Sequence, residues 1–421
     1  MRLRGLAGIL ALLGAFTAGA QVPSPSPANA PQPGSEITVT LITVGLGQEV
    51  FERFGHNALW FHDSSTGEDV AYEWGLFSFL EPHFLARFLT GANRYWMGGR
   101  SPQSLVDSEH RAGRPITLQR LNLTPLQALR LRDFVRWNSQ DEHKFYRYDY
   151  FQDNCSTRLR DALDMALGGV IKRATDSVKT ETTFRRESVR LTDGDRPIQA
   201  GIDIALGRPA DSRLTEWQTF FIPMHLRDAL RTMRVPDAAG KEVPLVASER
   251  MIGVQDPAAE IPDLPAAPRL VIRYGLLGIL LAAVVVGLRV LAVTRRSAVW
   301  GLALFGAGWS LVCGILGVIL LMAWLFTKHV FWAYNENVLL LTPLSLALVI
   351  LAPAALLSRR ATGAARVVSF LIAASALVAT LLAIIPGGQE NRAIVAMILP
   401  VHVALALALG TQRAPLAARR T

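Results

Sequence analysis

Beyond Arg269 the sequence changes character. Five apolar runs follow, at about 270–293, 299–326, 336–357, 367–386 and 391–411. Each is near or above the roughly 20 residues whose helix crosses a bilayer core. Lipid offers no water to a backbone N–H or C=O, so runs of this length span as helices. The chain therefore folds partly in lipid, and everything before residue 266 must settle on one side of it. Basic residues decide which side. Arg295-Arg296, Arg359-Arg360 with Arg366, and Arg413 with Arg419-Arg420 flank alternate ends of the runs. Lys/Arg-rich short loops stay cytoplasmic. The C-terminus is then cytoplasmic, and the segment before the first run lies outside. The net charge of +9 is explained by these clusters, so nucleic acid is excluded as a partner.

The start agrees with export. Arg2 and Arg4 precede the apolar stretch Leu6 to Phe16, and Ala18-Gly19-Ala20 offers a small-x-small cleavage site. The expected organisation is a signal peptide at 1–20, a Pro/Ser-rich linker at 21–35, an external domain at 36–265 and a helical bundle at 266–421. The loop from Lys328 to Asn337 should lie at the outer face. It is polar and aromatic, which reads either as an interfacial aromatic belt or as a substrate-facing surface with His329, Asn335 and Asn337 as contacts.

The external domain mixes element types. Ile37, Val39 and Leu41 alternate with Thr38, Thr40 and Ile42, which predicts a half-buried strand. Strands are also expected over 57–62 and 70–74, joined by the turn Asp63-Ser64-Ser65-Thr66-Gly67, and around Ile116 and Leu118. Thr124-Pro125-Leu126-Gln127 opens a helix with a cap, Pro at the first helical position and Gln three after the cap. Tyr146 to Phe151 alternates as a strand would. From Cys155 the spacing of Leu159, Leu163, Ala166 and Leu167 is helical, ended by Gly168-Gly169. Without regular alternation of strands and helices, the fold class is α+β, followed by an all-α bundle of about five transmembrane helices.

Two cysteines are present. Cys313 lies within the second apolar run and Cys155 outside, so they cannot pair. A lone thiol in an oxidising compartment is either an inert buried group or a working one. Cys155 starts a helix, where free amides and the helix dipole favour a thiolate and can hold an oxyanion. A nucleophile needs a base, and His56 is the best placed of His56, His62, His83, His110, His143 and His225. It follows Phe54-Gly55 and begins a strand. His62 shares its parity but lies some 20 Å along that strand. Glu73, on the neighbouring strand, is the candidate to orient the imidazole. Asn154, Arg158 and Arg147 are candidate substrate contacts, and Asp161 is expected to support the helix or to pair with an Arg. No metal and no cofactor are expected.

The stretches Phe54-Gly55-His56-Asn57-Ala58-Leu59, Tyr72-Glu73-Trp74-Gly75 and Tyr146 to Asp161, with Asn154-Cys155-Ser156-Thr157-Arg158 at its heart, resemble the Lnb family and its N-terminal periplasmic domain. Trp217 to Leu226 is similar too, and the resemblance covers nearly the whole mature chain. One position departs: Glu73 stands where Asn is common. The order His-then-Cys also resembles the permuted, papain-like branch of the NlpC/P60 superfamily. The resemblance implies a Cys-His thiol acyltransferase of the bacterial inner membrane. It would move a fatty acyl chain from a phospholipid through a Cys155 thioester to the α-amine of a diacylglyceryl-cysteine lipoprotein.

Two other readings compete. A papain-like hydrolase of cell-wall peptides or phospholipids would use the same dyad, but one anchoring helix would suffice for it. A non-enzymatic sensor or transporter with an external domain is the other, and the scarcity of charge within the apolar runs argues against transport.

Overall fold

The computed structural model describes residues 32–254 and 264–410. The expected signal segment, most of the linker and the basic C-terminal tail lie outside the described residues. Eleven strands and fifteen helices are formed among them. Seven strands make one antiparallel sheet: β1 (Ile37–Val44), β2 (His56–Asp63), β3 (Glu68–Leu76), β4 (Arg94–Arg100), β5 (Ile116–Leu121), β6 (Phe145–Arg147) and, after the ribbons β7–β8 (Lys179–Thr183, Arg213–Thr215) and β9–β10 (Arg234–Pro236, Glu242–Pro244), β11 (Val246–Ile252). The order across the sheet is β11-β5-β1-β2-β3-β4-β6. The β2–β3 hairpin turns on Asp63, whose Oδ1 accepts from Ser65 N at 2.9 Å while Gly67 N bonds Asp63 O at 2.8 Å.

β1 was expected to be half-buried and is instead central, with Leu41 and Ile42 both fully buried. Its two faces go to different cores. Ile37, Val39 and Leu41 pack with Trp74 and with residues of α3 (Pro125–Asn138), α4 (Cys155–Ala166) and α9 (Pro223–Thr232). Ile42 and Val44 pack with Leu105 of α2 (Pro102–Arg111) on the opposite side. Layers on both faces erase the simple alternation that a one-sided sheet would show. The α3 capping box forms as its sequence implies, Thr124 with Gln127. The expected strand over Tyr146 to Phe151 is a correction. Pairing stops at Arg147, because the Asp149 carboxylate accepts from Phe151 N and Gln152 N, both at 2.9 Å, and turns the chain.

The short helices α1 (Phe84–Thr90), α5 (Val170–Thr175), α6 (Phe184–Leu191), α7 (Arg196–Ala205) and α8 (Glu216–Thr219) complete the domain. Arg185 of α6 is fully enclosed between two carboxylates, Asp211 at 2.6 Å and Asp203 at 3.1 Å.

Five helices long and apolar enough to cross a membrane follow: α10 (Leu270–Leu291), α11 (Arg296–Phe326), the pair α12 (Asn337–Leu340) and α13 (Ser345–Ser358), α14 (Thr362–Leu382) and α15 (Arg392–Gly410). The third span, expected as continuous, is broken between Leu340 and Ser345. Pro343 lacks an N–H, and the carbonyls released by the break find side-chain donors instead. Ser375 Oγ donates to Leu339 O at 2.8 Å, and His402 Nε2 lies 2.9 Å from Leu340 O.

The bundle and the external domain interlock through the loop between α11 and α12. Phe331 inserts among Phe151, Phe184 and Phe221. Asn335 Nδ2 donates to Ile204 O and Ala205 O at 2.9 Å, Asn337 Nδ2 to Ile204 O at 3.0 Å. His329 Nε2 lies 2.9 Å from Phe88 O and its ring stacks on Trp332. These three side chains were weighed as substrate contacts. All three are buried, and each has a side-chain nitrogen spent on a backbone carbonyl of the external domain.

Candidate active site

Cys155 is the first residue of α4, and its surroundings explain why the helix starts there. Asn154 caps it, its Oδ1 accepting from Ser156 N and Thr157 N, both at 2.9 Å. Its Nδ2 donates to Tyr150 O at 3.0 Å and to Phe221 O at 2.9 Å. Every polar atom of the Asn154 side chain is therefore used inside the protein, which leaves none for a substrate. Ser156 Oγ donates to Phe220 O at 2.6 Å and accepts from Asn57 Nδ2 at 3.1 Å. The base of α4 is thus clamped by β2 on one side and by the 220–221 carbonyls on the other. The Phe220-Phe221-Ile222-Pro223 stretch supplies structure to the site, not chemistry. Replacing Asn154 with alanine strands several of these partners, and a loss of about 1–2 kcal/mol in unfolding free energy is expected. Chemical denaturation checks it; an unchanged midpoint would assign the start of α4 to other forces.

His56 begins β2 after Gly55, whose φ is +73° and where a β-carbon would sit 2.8 Å from Met224 Sδ. That tight passage, with Val44 O 2.9 Å from the same point, calls for glycine at the entry to β2. The His56 Nε2 lies 2.9 Å from Glu73 Oε2. Register explains the meeting: β3 places Glu73 opposite Ala58, two residues along from His56 on the same face. With Nε2 engaged, Nδ1 is the nitrogen left for the thiol. Glu73 is itself buried and its second oxygen pairs with Arg100 Nε at 2.9 Å, Arg100 standing on the adjacent strand β4. Arg100 was not singled out in the sequence, because only the β3–β4 register brings it to Glu73.

The electrostatics of the three groups agree with one another. Burial opposes a charged Cys155, yet the His56 charge and its hydrogen bond, with the backbone N–H groups of Asn57 and Ser156, lower the thiol pKa. Burial also opposes a charged His56, and the Cys155 thiolate and Glu73 outweigh it, raising His56 to about 10. Burial pushes Glu73 up, but His56 and then Arg100 bring it below the ordinary value. The arrangement favours a thiolate–imidazolium pair backed by a carboxylate.

Tyrosines wall the thiol. A β-carbon on Gly75 would lie 3.3 Å from Cys155 Cβ and 3.7 Å from Tyr148 Cε2. Tyr148 stacks on Tyr95 at 4.2 Å. Burial first, and the thiolate charge second, keep Tyr146 and Tyr148 protonated. The Arg158 guanidinium lies over the Tyr146 ring and is held by Asp153 at 2.5 and 2.9 Å. Arg147 is exposed on β6 and has no ion-pair partner among the described residues. Asp161 pairs with Arg160 at 2.7 Å. His62 is solvated and lies 3.1 Å from Asp69, away from the cysteine. No cluster of metal-ligating residues occurs among the described residues.

Fold and site together define a membrane protein in which an external, sheet-based domain carrying a cysteine and a histidine docks on a five-helix base. The Lnb N-terminal periplasmic domain matches residues 30–186, and the Lnb transmembrane domain matches residues 274–413. The chain belongs to the Lnb family, as an inner-membrane protein with its N-terminal domain in the periplasm. No curated protein and no solved structure matches it.

Proposed function

We propose that this protein is a lipoprotein N-acyltransferase that works through a Cys155 thioester. The observation that carries the reading is the buried Cys155 beside the half-buried His56, with Glu73 on the imidazole Nε2, in a domain docked on five helices long enough to span a membrane. Membership of the Lnb family supports it. The order of His56 before Cys155 supports a permuted papain-like arrangement of the domain. The basic Arg295-Arg296 and Arg359-Arg360 turns support a cytoplasmic C-terminus.

In the first half-reaction the Cys155 thiolate attacks the ester carbonyl of a glycerophospholipid. The oxyanion is held by the Cys155 backbone N–H, one of the donors that the first turn of α4 leaves without an intrahelical partner. Collapse breaks the ester C–O bond, the leaving alkoxide takes the His56 proton, and a lysophospholipid departs. In the second half the α-amine of a diacylated lipoprotein attacks the thioester and gives its proton to His56. Collapse forms the amide and returns the thiolate. Ester and amine become alcohol and amide, so no redox partner is needed. Glu73 keeps the imidazole oriented through both halves. Arg147 is the one proposed substrate contact that remains free, and it suits a phosphate.

The test is product chemistry. Wild type and Cys155→Ala are expressed in a host depleted of its own N-acyltransferase, and lipoprotein N-termini are examined by mass spectrometry. Triacylated product from wild type alone is expected. Its absence with wild type rejects the acceptor; equal product from both rejects the thioester.

A further inference from the structure

The external domain exposes a group of large apolar side chains that its own core does not need. In α1 and the turn before it, Leu80 is 94% exposed, Phe79 and Leu85 66%, and Leu89 53%. Monomers rarely leave such a cluster to water unless something covers it. Its position says what. Thr90, the last residue of α1, accepts from Lys328 N at 2.8 Å, and Phe88 O lies 2.9 Å from His329 Nε2. Both partners lie within three residues of the outer end of α11, at Phe326. Trp324 and Tyr334 meet there at 5.4 Å, in the place where aromatic belts mark the headgroup level. The apolar cluster is therefore held at the rim of the bilayer.

An unbroken set of rings leads from the cluster to the cysteine. Phe79 and Phe84 meet Phe77 at 5.0 and 5.9 Å, Phe77 meets Tyr95 at 5.1 Å, and Tyr95 stacks on Tyr148 at 4.2 Å. Tyr148 borders the same Gly75 position as Cys155.

We propose that the segment from Phe79 to Leu89 is an interfacial element whose apolar side chains enter the acyl-chain layer of the periplasmic leaflet. The aromatic track behind it guides one acyl chain of a membrane lipid to Cys155. The partner is lipid hydrocarbon, not a protein surface, because the cluster continues the lipid-facing rim of the bundle. The guiding role rests on the thioester reading above; insertion into the leaflet does not.

The full chain, with both native cysteines replaced by alanine, is reconstituted in phospholipid nanodiscs with a single bimane-labelled cysteine, at Leu80→Cys or, as the water-exposed control, at Ser64→Cys. Lipids brominated in their acyl chains are expected to quench the Leu80 site at least three-fold more than the Ser64 site, with aqueous iodide showing the reverse. Equal quenching of the two sites by brominated lipid overturns insertion. This reading needs no turnover, so it stands apart from any failure of acyl transfer. In chains that keep their cysteines, the double change Leu80→Asp with Leu85→Asp is expected to cut transfer from bilayer phospholipid ten-fold or more. Undiminished transfer overturns the guiding role.

Discussion

Replacing His56 with alanine is expected to slow acyl transfer by about 10³-fold or more and to change how Cys155 titrates. General acid–base groups supply about 10²–10⁴-fold, and in the proposed mechanism the same side chain also activates the nucleophile. The largest single influence on Cys155 is burial, which raises its pKa, and His56 is the first of the groups that reverse it. With His56 gone, burial is opposed only by the Asn57 and Ser156 amides, and the thiol pKa rises. In the wild type, lowered Cys155 and raised His56 both favour the ion pair. Alkylation by iodoacetamide should then fall less steeply between about pH 8 and 6 than for an ordinary thiol, which loses roughly 100-fold in thiolate over that range. His56→Ala should alkylate at least ten-fold more slowly at pH 7 and gain rate steadily above pH 8. Since the two groups titrate as a pair, the profile reports the pair and not either residue alone. Identical pH profiles for the two proteins would remove His56 from the chemistry.

Glu73 and Arg100 show how far such a site can be read from sequence. The cysteine and histidine could be proposed from sequence because few residue types suit such work, and because a lone thiol outside the cytoplasm calls for a reason. Glu73 was reachable through the hairpin, since Asp63 to Gly67 fixes the β2–β3 register and the register fixes its neighbour. Arg100 was not, since a stretch of 17 residues with its own helix separates β3 from β4 and nothing local specifies their pairing. Asn154 was read as a substrate contact from its place beside Cys155. Its side chain is consumed by capping and by two carbonyls from residues distant in sequence or in loop geometry. His329, Asn335 and Asn337 misled for a related reason. A polar residue in an outer loop looks the same in sequence whether it faces a ligand or a neighbouring domain's backbone, and only the docking of 203–205 and Phe88 decides.

The membrane half was the more legible part, because bilayer thickness constrains both length and polarity. The five helices fall close to the expected runs. Hydropathy is blind to backbone, however, and so the break in the third span was invisible to it. Pro343 is apolar enough to pass within a membrane run, while its missing N–H and its ring change what the helix can do.

That break sets up the second large effect. Where α12 stops, the Leu341 carbonyl turns against α11 at Gly317, so close that a β-carbon there would lie 1.6 Å from Leu341 O and 2.8 Å from Pro343 N. Both are backbone atoms beside a proline, so no side chain can swing away to make room. The turn is pinned on its other side by the Ser375 and His402 contacts to Leu339 and Leu340. Gly317→Ala must therefore move α11 or expel the turn and strand carbonyls in lipid, where each unsatisfied group is costly. The expected cost is about 3 kcal/mol or more, at or beyond the upper end of ordinary overpacking. Gly308, in the same helix, has nothing within 4 Å of its added carbon, and Gly308→Ala should be neutral or slightly stabilising. Thermal unfolding of the two variants in detergent separates the explanations. A midpoint several degrees lower for Gly317→Ala, with Gly308→Ala unchanged, is expected. Because α12 leads straight from the loop that carries Phe331 into the external domain, the same variant should also loosen that docking, seen as faster hydrogen exchange at 203–207. Equal midpoints for both alanines would mean that the turn repacks freely and that the third span tolerates a continuous helix.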